Sequence, residues 1–115
     1  MAVAREAVSA WDIEDAARLI AGKVRETPVL PAGELSRRVG APVVLKAENL
    51  QLTGSFKARG ATNMIGRLPG EALRAGVVAA SAGNHAQAVA HAEAARLVEE
   101  AVSYTHLTLP TILLV

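Results

Sequence analysis

The stretch GVVAASAGNHAQAVAHAEAARLVEE, residues 76–100, reads as a strand, a turn and a helix in direct succession. GVVAA is short and continuously apolar, the pattern of a strand buried on both faces in a parallel sheet. Ser81, Ala82 and Gly83 form the turn, and a helix runs from about Asn84 to Glu100. A second unit of the same kind lies upstream. VVLKAE, within residues 41–48, is an apolar strand that turns polar at its end, and Gly54 opens the turn that follows it. Ser55 or Gly54 then caps a helix through Lys57, Ala61 and Ile65, and residues 66–70, with Pro69, read as loop. The order βαβα predicts an α/β fold with a parallel sheet.

Further toward the start, Ser9 followed by Asp12 resembles a capping box, with Asp in place of the usual Glu. Ile13, Ala16, Ala17, Ile20 and Val24 recur at helical spacing. That helix is expected to stop before Thr27-Pro28, because proline disfavours helical geometry in the residue before it. Residues 34–39 predict a short helix ended by Gly40.

The chain has 115 residues, enough for one small domain or a piece of a larger one. Its apolar residues make up 51% of the chain, but 24 of them are alanine and only Trp11, Phe56 and Tyr104 are aromatic. The core is therefore expected to be thin, built from Ala, Val and Leu, with little net stability. A net charge of +1 with scattered Arg and Lys gives no basic stripe, so no nucleic-acid partner is expected. The absence of cysteine excludes disulfide scaffolds, zinc ribbons and cysteine nucleophiles. Arg5 and Glu6 break the first apolar stretch, which argues against a secretory signal. Residues 101–115 carry no charge but are too short to span a bilayer, so no membrane partner is expected. TILLV there has strand character. SYTHLTLPT instead resembles the adapter-derived tails of mistranslated library reads, and residues 101–115 are read as a non-native tail.

Two strand–turn–helix junctions could carry chemistry. Ligands in open parallel sheets bind beyond the carboxyl ends of strands, where helices begin and present free N–H groups. At the first junction Lys57 lies just inside a helix start, where the macrodipole disfavours positive charge. If it is also desolvated, its proton comes off more easily and the amine can act as a nucleophile. Spacing alone leaves an ordinary surface lysine as the default. At the second junction, the small residues 81–83 let backbone N–H groups approach a carboxylate or phosphate, and Asn84 adds an amide. Spacing alone leaves a plain capped helix as the default there. His85 and His91 are six apart with no carboxylate partners, which argues against a metal site. Lys46 and Glu48 are expected to be structural, and Arg59 to anchor the helix after Lys57.

At these two junctions the sequence resembles a known family. ENLQLTGSFKARGA (48–61) and SAGNHAQAVA (81–90) resemble the threonine/serine dehydratases, pyridoxal-phosphate enzymes of the tryptophan-synthase-β-like fold. VRETPVL (24–30) resembles the family's amino-terminal segment. The resemblance covers roughly residues 10–92. It implies that Lys57 condenses with the cofactor aldehyde and later removes the substrate Cα proton. It implies that Phe56 packs by the pyridine ring and that Asn84 hydrogen-bonds the ring's 3′ oxygen. It implies that Ser81, Ala82, Gly83, Asn84 and His85 receive the substrate carboxylate. The β-hydroxyl of a small hydroxy amino acid then leaves, giving a 2-oxo acid and ammonia. Leu52 and Phe56 favour the hydroxy-amino-acid branch over relatives acting on sulfur amino acids. Serine racemases carry a second serine where Ala82 stands, so Ala82 argues for dehydration.

The family's glycine-rich phosphate loop, GGGGL, does not occur in this sequence. Residues 1–100 are therefore expected to be the incomplete amino-terminal part of a pyridoxal-phosphate lyase domain. The resemblance places the full-length parent in the cytoplasm, as a homo-oligomer in amino-acid metabolism on the route to isoleucine. Two other readings stand beside it: a non-catalytic anion- or small-molecule-binding α/β module, and a partial reading frame without function of its own.

Overall fold

A computed structural model describes residues 7–103 and 113–114. Helix α1, Ala10–Ile20, begins at the expected capping box: Ser9 Oγ accepts from the Asp12 N–H, and Asp12 Oδ2 accepts from the Ser9 N–H at 2.7 Å. It ends six residues earlier than expected. Gly22 takes a φ of 76°, a left-handed turn that only glycine adopts without strain, and the chain leaves the helix there rather than at Pro28. Strand β1, Val29–Pro31, leads into helix α2, Gly33–Val39, which Gly40 closes at φ 75° as expected.

Strand β2, Val44–Lys46, pairs antiparallel with β1, with Val29 opposite Lys46 and Pro31 opposite Val44. Two 3-10 turns, Glu48–Leu50 and Leu52–Gly54, carry the chain to helix α3, Lys57–Gly66. The expected loop gives way to helix α4 at its end: Gly70–Ala75, six residues started by Pro69. Strand β3, Val78–Ala79, leads to helix α5, Asn84–Ser103, and pairs in parallel with β4, Leu113–Leu114. Parallel pairing is thus present at β3, as the apolar run GVVAA suggested, but Val78 is exposed rather than buried. β2 pairs with its sequence neighbour instead.

The core is as thin as the composition requires. Ala61 and Ile65 of α3 pack with Ala88, Val89 and Ala92 of α5 over Ala79, and Leu68, Leu73 and Val77 border them. Alanines at this interface let the two helix backbones approach closely. The α1–α3 contact works similarly: a Cβ on Gly66 would come 2.8 Å from Leu19 Cδ2. Outside this core many large apolar side chains are exposed. Val29, Leu30, Val44 and Leu45, all of the β1–β2 ribbon, are each at least half exposed, and so are Trp11 and Ile13 on α1. The radius of gyration is 17.7 Å, against about 13 Å for a compact domain of this length.

Candidate active site

Helices α3 and α5 and strand β3 enclose a cleft of about 440 Å³. Lys57 and Phe56, at the start of α3, stand on it with His85, in the first turn of α5. Met64, Leu68, Val77 and Val89 supply apolar wall, and Lys57 is the one formally charged side chain among the lining residues. The two junctions chosen from the sequence, 28 positions apart from Lys57 to His85, therefore meet at one cavity (85 − 57). They meet because α3 and α5 pack against each other through alanine.

Local structure explains the position of Lys57. Ser55 is buried, and its Oγ accepts from the Lys57 N–H at 3.3 Å, capping the helix as expected. Before it, Thr53 and Gly54 both take left-handed φ values, 62° and 76°. Thr53 is not glycine, so that turn holds strain. The Lys57 ammonium lies 5.6 Å from the centre of the Phe56 ring, which is itself largely exposed. Lys57 is also exposed, so the desolvation expected of it is not supplied by the described residues.

The turn before α5 is polar and small. Ser81 Oγ accepts from the Gly83 N–H at 3.2 Å, and the Gln87 N–H bonds to the Gly83 carbonyl as the helix starts. Asn84 is the first residue of α5. It is exposed and does not line the cleft, and neither do Ser81, Ala82 and Gly83. Of the residues singled out from sequence, the structure thus gathers Phe56, Lys57 and His85 at the cleft and leaves Asn84 and the 81–83 turn beside it.

The residues present fit one end of pyridoxal phosphate. The donor set is an amine for the aldehyde, an aromatic ring and an imidazole, in a cleft with room for a flat ring. No second cation and no glycine-rich loop stand at that cleft among the described residues, so the phosphate has no cradle there.

Sequence reasoning missed a polar cluster behind Lys57. Glu48 and Arg59 pair through two hydrogen bonds, Nε to Oε2 at 2.9 Å and Nη2 to Oε1 at 2.7 Å. The Thr27 hydroxyl donates to Glu48 as well. Gln51, buried, accepts from the Arg25 N–H at 2.9 Å and donates to the Arg25 carbonyl at 2.8 Å. The expected anchoring role of Arg59 is met here, with its partner now identified. The hydrogen bonds from Arg59, ahead of that from Thr27, pull the Glu48 carboxyl down to about 2. A depressed carboxylate stabilises the fold above the ordinary carboxylate range, and loses that contribution as pH falls toward 2. On acidification from pH 5 to pH 2 the wild type should lose on the order of 1–2 kcal/mol through this group. Glu48→Gln should be less stable at pH 7 and show a flatter acid limb in circular dichroism melts. Equal acid slopes for the two proteins would refute this.

Among the described residues, no helix is long and apolar enough to cross a membrane. The family model for "Pyridoxal-phosphate dependent enzyme" matches residues 20–103. The biosynthetic L-threonine dehydratase IlvA of Mycobacterium leprae is 52% identical over 85 residues, covering 74% of this chain and 20% of that protein. The catabolic L-threonine dehydratase TdcB of Staphylococcus aureus is 50% identical over 84 residues, 72% of this chain and 24% of that one. Among solved structures, serine racemase from Dictyostelium discoideum superposes with a TM-score of 0.73 at 43% identity, over 78% of this chain and 29% of its own. The threonine deaminase of Solanum lycopersicum, in the processed form of its second isoform, gives 0.59 at 38% identity, over 76% of this chain and 25% of its own. The chain thus spans about a fifth to a third of the proteins it matches. With the motif pair, the α3–α5 cleft and these likenesses in agreement, the chain belongs to the pyridoxal-phosphate dependent enzymes of the tryptophan-synthase-β-like α/β fold.

Proposed function

We propose that this chain is the amino-terminal piece of an ammonia-lyase that dehydrates and deaminates L-threonine or L-serine to a 2-oxo acid and ammonia. The observation that carries the reading is the placement of Lys57, Phe56 and His85 on one cleft. The dehydratase relatives at about half identity support the substrate class. Residues 1–100 are the native part in this reading, and residues 101–115 an appended tail. The complete enzyme is read as cytoplasmic, as a homo-oligomer, and as working in amino-acid synthesis toward isoleucine.

Pyridoxal phosphate, when bound, supplies an aldehyde for covalent attachment and an electron-withdrawing ring that stabilises negative charge at the substrate Cα. The remaining work belongs to the protein. Lys57 Nζ holds the cofactor and, once released, takes the proton from Cα as general base. Phe56 lies beside it and lines one side of the cleft. The N–H groups at the start of α5 face incoming anions and receive the substrate carboxylate. Asn84 and the 81–83 turn, which stand beside the cleft, are read as the remaining part of the site.

The test is a chimera in which residues 20–92 replace the matching stretch of the Mycobacterium leprae dehydratase. The chimera should release 2-oxobutanoate from L-threonine, whereas the isolated chain, lacking the phosphate loop, should release a negligible amount. A folded chimera that binds cofactor but yields no 2-oxo acid would sink the lyase reading.

A further inference from the structure

We propose that Glu48, Gln51 and Arg59 are positioning residues that hold the strained Thr53–Gly54 turn, and through it aim Lys57 into the cleft. The inference rests on the reading of Lys57 as the reactive amine. None of the three lines the cleft, so none can touch a ligand there. Their hydrogen bonds instead bracket the turn from both sides. Glu48 lies five residues before Thr53 and Arg59 six after it, and the two are joined by a fork of two charge-assisted bonds. Arg59 Nη2 also reaches the Arg25 carbonyl at 3.2 Å. Gln51 works from inside the bracket. Its Oε1 accepts from the N–H groups of Arg25 and Leu52, both at 2.9 Å, and its own carbonyl accepts from the Gly54 N–H at 2.9 Å.

A backbone conformation this unfavourable persists only where its surroundings over-determine it. Thr53 has a second sign of constraint. Its Oγ1 is buried with no hydrogen-bond partner among the described residues, a cost the turn bears while it is held in place. Lys57 is fixed between Ser55, which caps its N–H, and Arg59, two residues on. Cutting the fork releases the turn at one end, and a shift of an ångström at Lys57 Nζ is enough to spoil attack on an aldehyde.

The chain has three lysines, Lys23, Lys46 and Lys57, which makes the test internal to one molecule. The 115-residue wild type, Glu48→Gln and Arg59→Gln are each exposed to pyridoxal phosphate and borohydride, and the pyridoxyl label is mapped by peptide. Lys23, outside the network, is the reference. The wild type should label Lys57 over Lys23, and both variants should lose about tenfold of that preference while keeping a cooperative melt. An unchanged preference in the folded variants overturns the inference. So does loss of the melt together with the preference, which would make the cluster structural only. A wild type with no preference for Lys57 overturns the underlying reading, a result separate from the other two.

Discussion

Lys57→Ala removes the pyridoxyl label from the α3 cleft, and in the chimera lowers 2-oxobutanoate formation by about three orders of magnitude or more. The three lysines are not equivalent. Lys23 Nζ is paired with Glu99 at 3.0 Å, and Lys46 Nζ donates to the Thr27 carbonyl at 2.5 Å. Both ammonium groups are stabilised by acceptors. Lys57 Nζ has only the ring face of Phe56 beside it among the described residues, so no hydrogen bond or ion pair ties its amine away from an incoming aldehyde. It lines the α3–α5 cleft as the one charged side chain there, whereas the pocket beside Lys23 also holds Arg96 and Glu99. Because the side chain is exposed, its removal should alter stability by no more than about 0.5 kcal/mol, so lost chemistry will not be confused with lost fold. Lys46→Arg serves as the control and should leave the label in place. A wild-type label found on the peptides carrying Lys23 or Lys46 instead would assign the reaction to another amine.

Much of this was legible before any coordinates, for local reasons. The Ser9–Asp12 box, the Gly40 stop and the Ser55 cap are each decided within four residues, and each stands where expected. The starts of α3 and α5 follow from small polar turns after apolar strands. Failures lie where the deciding partner is distant or the signal too short. β1 and β2 have three residues each, too few for a period to show, so their antiparallel pairing was invisible. Helix α4 has six residues without a distinct apolar stripe. Glu48 meets Arg59 at a separation of 11 and Thr27 at 21, and only folding brings these together.

The candidate site divides the same way. Residue types at the two junctions pointed to an amine and an anion-receiving turn. That Lys57 and His85 face one cavity is a consequence of α3–α5 packing, and the turn itself stands beside it. Lys57 is exposed and Asn84 stands beside the cleft for a related reason. A chain spanning about a fifth of the dehydratases it matches leaves its cleft open and its β1–β2 ribbon bare.

The same thinness makes one alanine decisive. Ala88 is fully buried at 0% exposure, in the cluster that joins Ala61 and Ile65 across the interface to Val89 and Ala92 along its own helix. Ala88→Leu adds three carbons at a fully buried position between the two helices. Overpacking of a tight core costs about 1–3 kcal/mol, and here the helices can relieve it only by moving apart. A core of alanines and a few larger residues holds a reserve of only a few kcal/mol, so a loss of that size approaches the whole. Ala88→Leu should therefore lower the melting temperature by at least about 10 °C, or abolish the transition. It should also lose the Lys57 label, since α3 and α5 together form the cleft. Ala94→Leu, on the exposed face of the same helix, adds the same atoms at no cost in packing and should melt within a few degrees of wild type. Matching melts for the two leucine variants would mean that the α3–α5 contact does not hold this fold together.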